Sequence, residues 1–99
     1  MYEGSQVSLH MKKNILANGM TDHTCYQCTI YKYDEENQNI YMILEDEELT
    51  RISLDAVYSC DIFAVEDTSC EGIVEERYNC SQGSMLRFRV KNGFYGRIS

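Results

Sequence analysis

The 99 residues and 11.5 kDa of this chain accommodate one domain and exclude a second core. Nine Lys and Arg against sixteen Asp and Glu leave a net charge of −7, the wrong sign for a generic binder of the DNA backbone. Hydrophobic content of 43% argues against a disordered chain, and no apolar run approaches the roughly 20 residues of a bilayer span, so neither DNA nor a membrane is an expected partner.

Residues 1–20 read as a loosely ordered or short helical lead-in. Leu9, Ile15, Leu16 and Met20 roughly fit a helical stripe, with Asn18-Gly19 as a stop. So short a helix with two Asn is marginal, and an extended segment over 9–17 is the competing expectation. The opening residues carry neither the leading charge nor the apolar stretch of a secretory signal, which predicts a cytoplasmic protein. Next, Thr24–Tyr33 and Asn39–Glu45 form a hairpin around Asp34–Gln38, with Ile30 opposite Met42 and Cys28 opposite Leu44. The run from Glu45 to Leu54 begins as an acidic turn and becomes apolar at Leu49, Ile52 and Leu54, a bend or short strand.

Val57–Val65 and Ser69–Asn79 then flank the turn Glu66-Asp67-Thr68. Pairing Ala64 with Cys70 and Cys60 with Val74 keeps Tyr58, Cys60, Ile62 and Ala64 on the core side. A loop Ser81-Gln82-Gly83 would set Cys80 opposite Ser84, Tyr78 opposite Leu86 and Val74 opposite Val90. It would also oppose Glu75 to Arg89 and Arg77 to Arg87, and leave Glu76 beside Phe88. In Met85–Lys91, Leu86, Phe88 and Val90 face in while Arg87, Arg89 and Lys91 face out. A second glycine-ended loop, Lys91-Asn92-Gly93, would pair Val90 with Phe94 and Leu86 with Ile98, each loop needing a positive φ at its glycine. Six strands without proline predict an all-β single domain over 1–99, a small antiparallel barrel of split-barrel or meander type.

Candidate chemistry is sparse. Cys25, Cys28, Cys60, Cys70 and Cys80 read as free thiols. Cys25 and Cys28, with His23 nearby, could hold zinc or a redox pair, but a spacing of three within a strand sends them to opposite faces. Acidic neighbours such as Glu45/Asp46 and Glu75/Glu76 point apart for the same reason. His10 and His23 lack a nucleophile in any recognisable context, so no catalysis, cofactor or metal is expected.

All sixteen acids lie within residues 1–76, whereas 77–99 hold Arg77, Arg87, Arg89, Lys91 and Arg97 and no acid. Basic C-terminal strands lying beside acidic ones would explain this. The alternative is a docking face of Arg77, Arg87, Arg89 and Arg97 with Tyr95, since guanidinium forks near an aromatic suit a carboxylate, a phosphate or an acidic partner.

Residues 51–61, 70–78 and 86–94, spread over about the last half of the chain, resemble in strand rhythm the small barrels related to PilZ, especially the domain preceding PilZ in flagellar-brake-type proteins. The resemblance implies a barrel with a regulatory or docking role. The cyclic di-GMP motifs, RxxxR and [DN]xSxxG, are absent: Arg87 and Arg89 are two apart, and Asp55-Ala56-Val57-Tyr58 lacks the Ser and Gly. The expected function is therefore a non-catalytic binding or regulatory module docking a protein partner or a small anion. The alternatives are a self-associating β domain with a dimer face of Tyr31, Tyr33 and Tyr41, and a zinc or thiol-redox protein using Cys25 and Cys28.

Overall fold

Period-2 alternation gives each strand one apolar face, and this chain turns those faces inward by closing its sheet on itself. The computed structural model describes residues 3–14, 24–45, 48–54, 56–64 and 68–96, with the side chains of Lys13, Asn14, Phe94 and Tyr95 outside that description. Six strands, β1 (Gln6–Asn14), β2 (Cys25–Asp34), β3 (Asn39–Leu44), β4 (Ala56–Phe63), β5 (Thr68–Cys80) and β6 (Gly83–Gly96), form a closed antiparallel barrel. Around the barrel they run β1-β2-β3-β6-β5-β4. This is not a simple meander: two three-stranded meanders are joined by β3–β6 and β1–β4 pairing, and the β3-to-β4 connection crosses one barrel end.

The helical alternative for the lead-in is corrected over its described part. Leu9 belongs to β1, where Val7, Leu9 and Met11 alternate into the core; Val7 and Leu9 pair with both β2 and β4, and Met11 with β4. Ile15, Leu16, Met20 and the Asn18-Gly19 stop lie outside the described residues. The expected β2–β3 register holds at Cys28↔Leu44 and Ile30↔Met42. A bulge at Tyr31 then shifts it, so Lys32 pairs with Tyr41 and Tyr33 with Ile40.

Inner faces follow the expected parity. Tyr58, Cys60 and Ile62 of β4 and Leu86 and Phe88 of β6 are fully buried, with Val90 nearly so. The register of β4 on β5 differs from expectation: Cys60 faces Cys70, not Val74. The slip spans four residues, an even number, so every side chain keeps its face. Between β3 and β4, Leu49–Arg51 make one 3-10 turn, and the fully buried Ile52 plugs the barrel end. Tyr26 Oη donates to the Arg51 carbonyl at 3.4 Å, and Tyr58 Oη accepts the Ser53 N–H at 3.0 Å.

The largest departure is in the C-terminal ribbon. Lys91-Asn92-Gly93 is not a turn. Strand β6 continues through it, with Asn92 opposite Glu71, Tyr95 opposite Ser69 and Gly96 opposite Thr68. The strand expected beyond this loop is the end of β6, and β1 supplies the sixth member of the barrel. Ile98 lies outside the described residues. At the other loop, Cys80 pairs with Gly83 around Ser81-Gln82, so Tyr78 faces Met85 and Arg77 faces Leu86. A bulge between Val74 and Glu76 then brings Val74 opposite Phe88.

The two loop glycines therefore differ. Gly83 has φ +126° and Ile43 Cγ2 would lie 3.3 Å from an added Cβ, whereas Gly93 has open space around it and no positive φ. Gly83→Val is expected to destabilise by about 1–3 kcal/mol, and Gly93→Val to stay within about 0.5 kcal/mol. Urea titration of the two variants checks this asymmetry, and equal losses would restore the second hairpin.

Candidate functional site

Outward-facing residues of β3, β6 and β5 fall into three rows. Ile43, Met85 and Tyr78 form the first; Tyr41, Arg87 and Glu76 the second; Asn39, Arg89 and Ile73 the third. In a regular strand Glu75 and Glu76 would point to opposite faces. The bulge at Glu75 instead brings both to the same guanidinium. Arg87 Nη2 lies 2.7 Å from Glu76 Oε1, and Nη1 lies 3.8 Å from Glu75 Oε1. Arg89 Nη1 stands 4.0 Å from the other Glu75 oxygen. Basic and acidic strands thus lie side by side, as the charge asymmetry suggested. Pairs this exposed contribute tenths of a kcal/mol to about 1 each.

Only part of the expected arginine face assembles. Arg87 and Arg89 share it. Arg77 does not, because the same bulge turns it toward the barrel end, where its guanidinium donates to the carbonyls of Leu49, Thr50 and Ile52. Its role there is to cap the 3-10 turn. The side chain of Tyr95 and the whole of Arg97 lie outside the described residues.

Beside Arg87 and Arg89 a groove of about 560 Å³ opens toward the β2–β3 turn, lined also by Asp34, Glu36, Asn39 and Tyr41. Asp34 ends β2, and the Asn37 side chain and backbone N–H hold its carboxyl below the usual range. Gln38 adopts a left-handed φ of 56° to close the turn, and its carbonyl accepts the Val90 N–H at 2.9 Å. That bond fastens the turn to β6 and fixes the groove's width. Within it, Asn39 is 7% exposed although it faces outward, and its Oδ1 has no partner among the described residues. Arg87 Nε is equally buried and equally unpartnered. A buried polar atom without a partner costs about 1–3 kcal/mol, and both atoms lie beneath the groove's surface, out of reach of solvent.

Sequence reasoning found Arg87 and Arg89 but missed Asn39 and Tyr41. No local signal marks Asn39: its burial arises from β6 lying against β3, 50 residues away along the chain at Arg89. A second hollow, of about 320 Å³, lies among Lys12, Val57, Glu71, Lys91 and Asn92. Within it Glu71 accepts from Lys12 and, at 2.8 Å, from Asn92 Nδ2.

The thiols separate by depth. Cys25 is exposed on the outer side of β2 and Cys28 fully buried inside, so they do not converge on one ion. Among the described residues no group of three or more His, Cys, Asp or Glu is placed to hold a metal, and His23 lies outside them. Burial, with the Glu45 charge adding to it, pushes the Cys28 thiol up to about 12. A hydrogen bond with Cys70 and then burial push Cys60 well above its usual value. At pH 8, iodoacetamide should label Cys25 and, more slowly, the half-buried Cys80, while Cys28, Cys60 and Cys70 react only in denaturant. Mass spectrometry of labelled peptides checks this, and rapid native labelling of Cys28 would contradict the register of β2.

The three tyrosines do not form one face. The bulge at Tyr31 leaves it 48% exposed and turns Tyr33 against the core, away from Tyr41. No described helix is long and apolar enough to cross a membrane. No family model, curated protein or solved structure matches this chain, and the resemblance to PilZ-related barrels gains nothing from these comparisons.

Proposed function

We propose that this barrel is a non-catalytic binding module whose ligand or partner docks in the groove that Arg87 and Arg89 share with β3 and the β2–β3 turn. One observation carries the reading: a polar groove of about 560 Å³ brings the Arg87 and Arg89 side chains together with Asn39, Tyr41 and the β2–β3 turn. The surrounding framework is rigid, because the groove stands on a closed barrel with its turn fastened to Val90. Five free thiols suit a reducing compartment, and on that ground the module is assigned to the cytoplasm. Docking through a dimer face is the weaker reading, since Tyr31, Tyr33 and Tyr41 are not gathered.

The test is an NMR screen of 15N-labelled protein against small carboxylates, phosphates and blocked peptides. Shifts are expected to cluster on Asn39, Tyr41, Arg87 and Arg89. Clustering at the Lys12–Glu71 hollow, or no shifts at millimolar concentration, would overturn the assignment.

A further inference from the structure

Resting on that reading, we infer that the docking surface continues from the groove onto the outward apolar row Ile43, Met85 and Tyr78. Its occupant is a protein segment that presents an aliphatic side chain between Lys or Arg residues. The row crosses β3, β6 and β5, with Met85 paired to Ile43 on one side and to Tyr78 on the other. Met85 is 3% exposed yet stands outside the core cluster, so it packs on the solvent side of the sheet. Tyr78 is 39% exposed, and Ile43 is half-buried beside Gly83, which has no side chain to cover it. Tyr41 and Arg87 occupy the next row and also line the groove, so row and groove are one surface. Partial burial, and then the neighbouring Cys80, Tyr41 and Glu76 groups, push the Tyr78 phenol above its usual value, as expected of a ring lying against that second row.

Tyr, Met and Arg are the side chains enriched where proteins meet, and Tyr41, Tyr78, Met85, Arg87 and Arg89 stand together here. Charge selects the partner. Asp34 and Glu36 line the groove, Glu75 and Glu76 flank the arginines, and Glu45 accepts from Thr29, the β2 neighbour of Ile43. Against these five acids stand three cations, Lys32, Arg87 and Arg89. Both guanidiniums are held by Glu75 or Glu76, and Lys32 lies in the field of Asp34. Glu36 and Glu45 have no ion pair among the described residues. The face is therefore net negative on a chain of net charge −7, which draws in a basic segment and repels an acidic one. A second copy of this chain brings the same acids and is disfavoured for the same reason. The partner's aliphatic side chain covers Met85 between Ile43 and Tyr78, and its cations meet Glu36, Glu45 and the exposed side of Glu76.

The experiment titrates three blocked tripeptides, Lys-Leu-Lys, Lys-Gly-Lys and Glu-Leu-Glu, at equal ionic strength into protein with 13C-labelled Met and Ile methyl groups. Ile43 and Met85 report on the row, the Tyr41 and Arg89 amides report on the groove, and Met42, fully buried on the inner face, is the control. Lys-Leu-Lys is expected to shift the Ile43 and Met85 methyls and leave Met42 in place. Lys-Gly-Lys should bind about fivefold more weakly and Glu-Leu-Glu should shift nothing. Tyr78→Ser should weaken Lys-Leu-Lys by about fivefold with the Met42 methyl unmoved. Glu36→Gln with Glu45→Gln should weaken it by about threefold at low salt and not at high salt. Equal binding of the two Lys peptides with shifts confined to Tyr41 and Arg89, or unchanged affinity in Tyr78→Ser, would overturn the apolar extension and keep the groove. Equal binding of Glu-Leu-Glu and Lys-Leu-Lys would overturn the basic partner. Ile43 and Met85 shifts that follow protein concentration without peptide would give the row to a second copy and overturn the inference. No shifts in row or groove with any probe would remove both this inference and the binding module.

Discussion

Gly72→Ala is expected to destabilise the barrel by at least about 3 kcal/mol, the upper part of the range for forced overpacking. An added Cβ would lie 2.0 Å from the Arg89 carbonyl oxygen, 2.9 Å from that carbonyl carbon and 3.0 Å from Phe88 Cζ. The first two obstacles are backbone of the neighbouring strand, which cannot rotate aside as a long side chain would. Gly72 sits where the β5–β6 register shifts, facing Tyr58 on one side and Val90 on the other. Absence of a side chain there lets β5 cross β6 at close range. Because small domains hold only about 5–15 kcal/mol in total, this loss should be plain in a urea midpoint. A change below about 0.5 kcal/mol would mean that the close approach does not exist and that β5 and β6 pair differently. The same change should loosen the groove, since the backbone it displaces carries Arg89.

Phe88→Ala is the second large effect, expected to cost about 3–5 kcal/mol and to lower Tm by more than about 12 °C. Phe88 is fully buried and lies between Ile40 of β3 and Val74 of β5, at the strand pairing that joins the two meanders. Removing its ring leaves a cavity that three paired strands cannot close without breaking their ladder. Its neighbours in sequence set the contrast. Arg87→Gln or Arg89→Gln deletes a half-exposed ion pair and should cost no more than about 1 kcal/mol. Thermal unfolding of the three variants therefore reads the alternation of β6 directly. A mild Phe88→Ala beside a severe Arg89→Gln would place the wrong face of β6 in the core.

These effects also separate folding from function. Phe88 and Gly72 hold the wall, whereas Asn39 and Arg87 bear the unpartnered polar atoms on its outer side. Arg77 belongs with the former, as it satisfies three carbonyls at the barrel end. The proposed docking surface is thus narrower than a stripe of arginines and more polar than basic.

What the sequence determined by itself was the side of the sheet on which each apolar residue falls. Alternation is a local property of extended backbone, so Leu86, Phe88 and Val90, Tyr58, Cys60 and Ile62, and Cys28 and Ile30 were all assignable to the core. The same rule put Cys25 and Cys28 on opposite faces, and it was also present, unread, in Val7, Leu9 and Met11. The tertiary structure decided where alternation breaks. Closing six strands into a barrel demands curvature, and the chain supplies it with bulges at Tyr31, at Glu75 and in β6 on either side of Asn92, where it faces Glu71. Nothing local distinguishes Glu75 from a regular strand residue. Yet its bulge sends Arg77 to the barrel end, sets two carboxylates on Arg87 and changes the composition of the candidate site. Gly93 likewise sits in a good turn sequence, but pairing with β5 over Thr68–Glu71 holds β6 extended through it. Ladder bonds gained across the barrel outweigh a two- or three-residue preference for a turn, and only the closed sheet makes those bonds available.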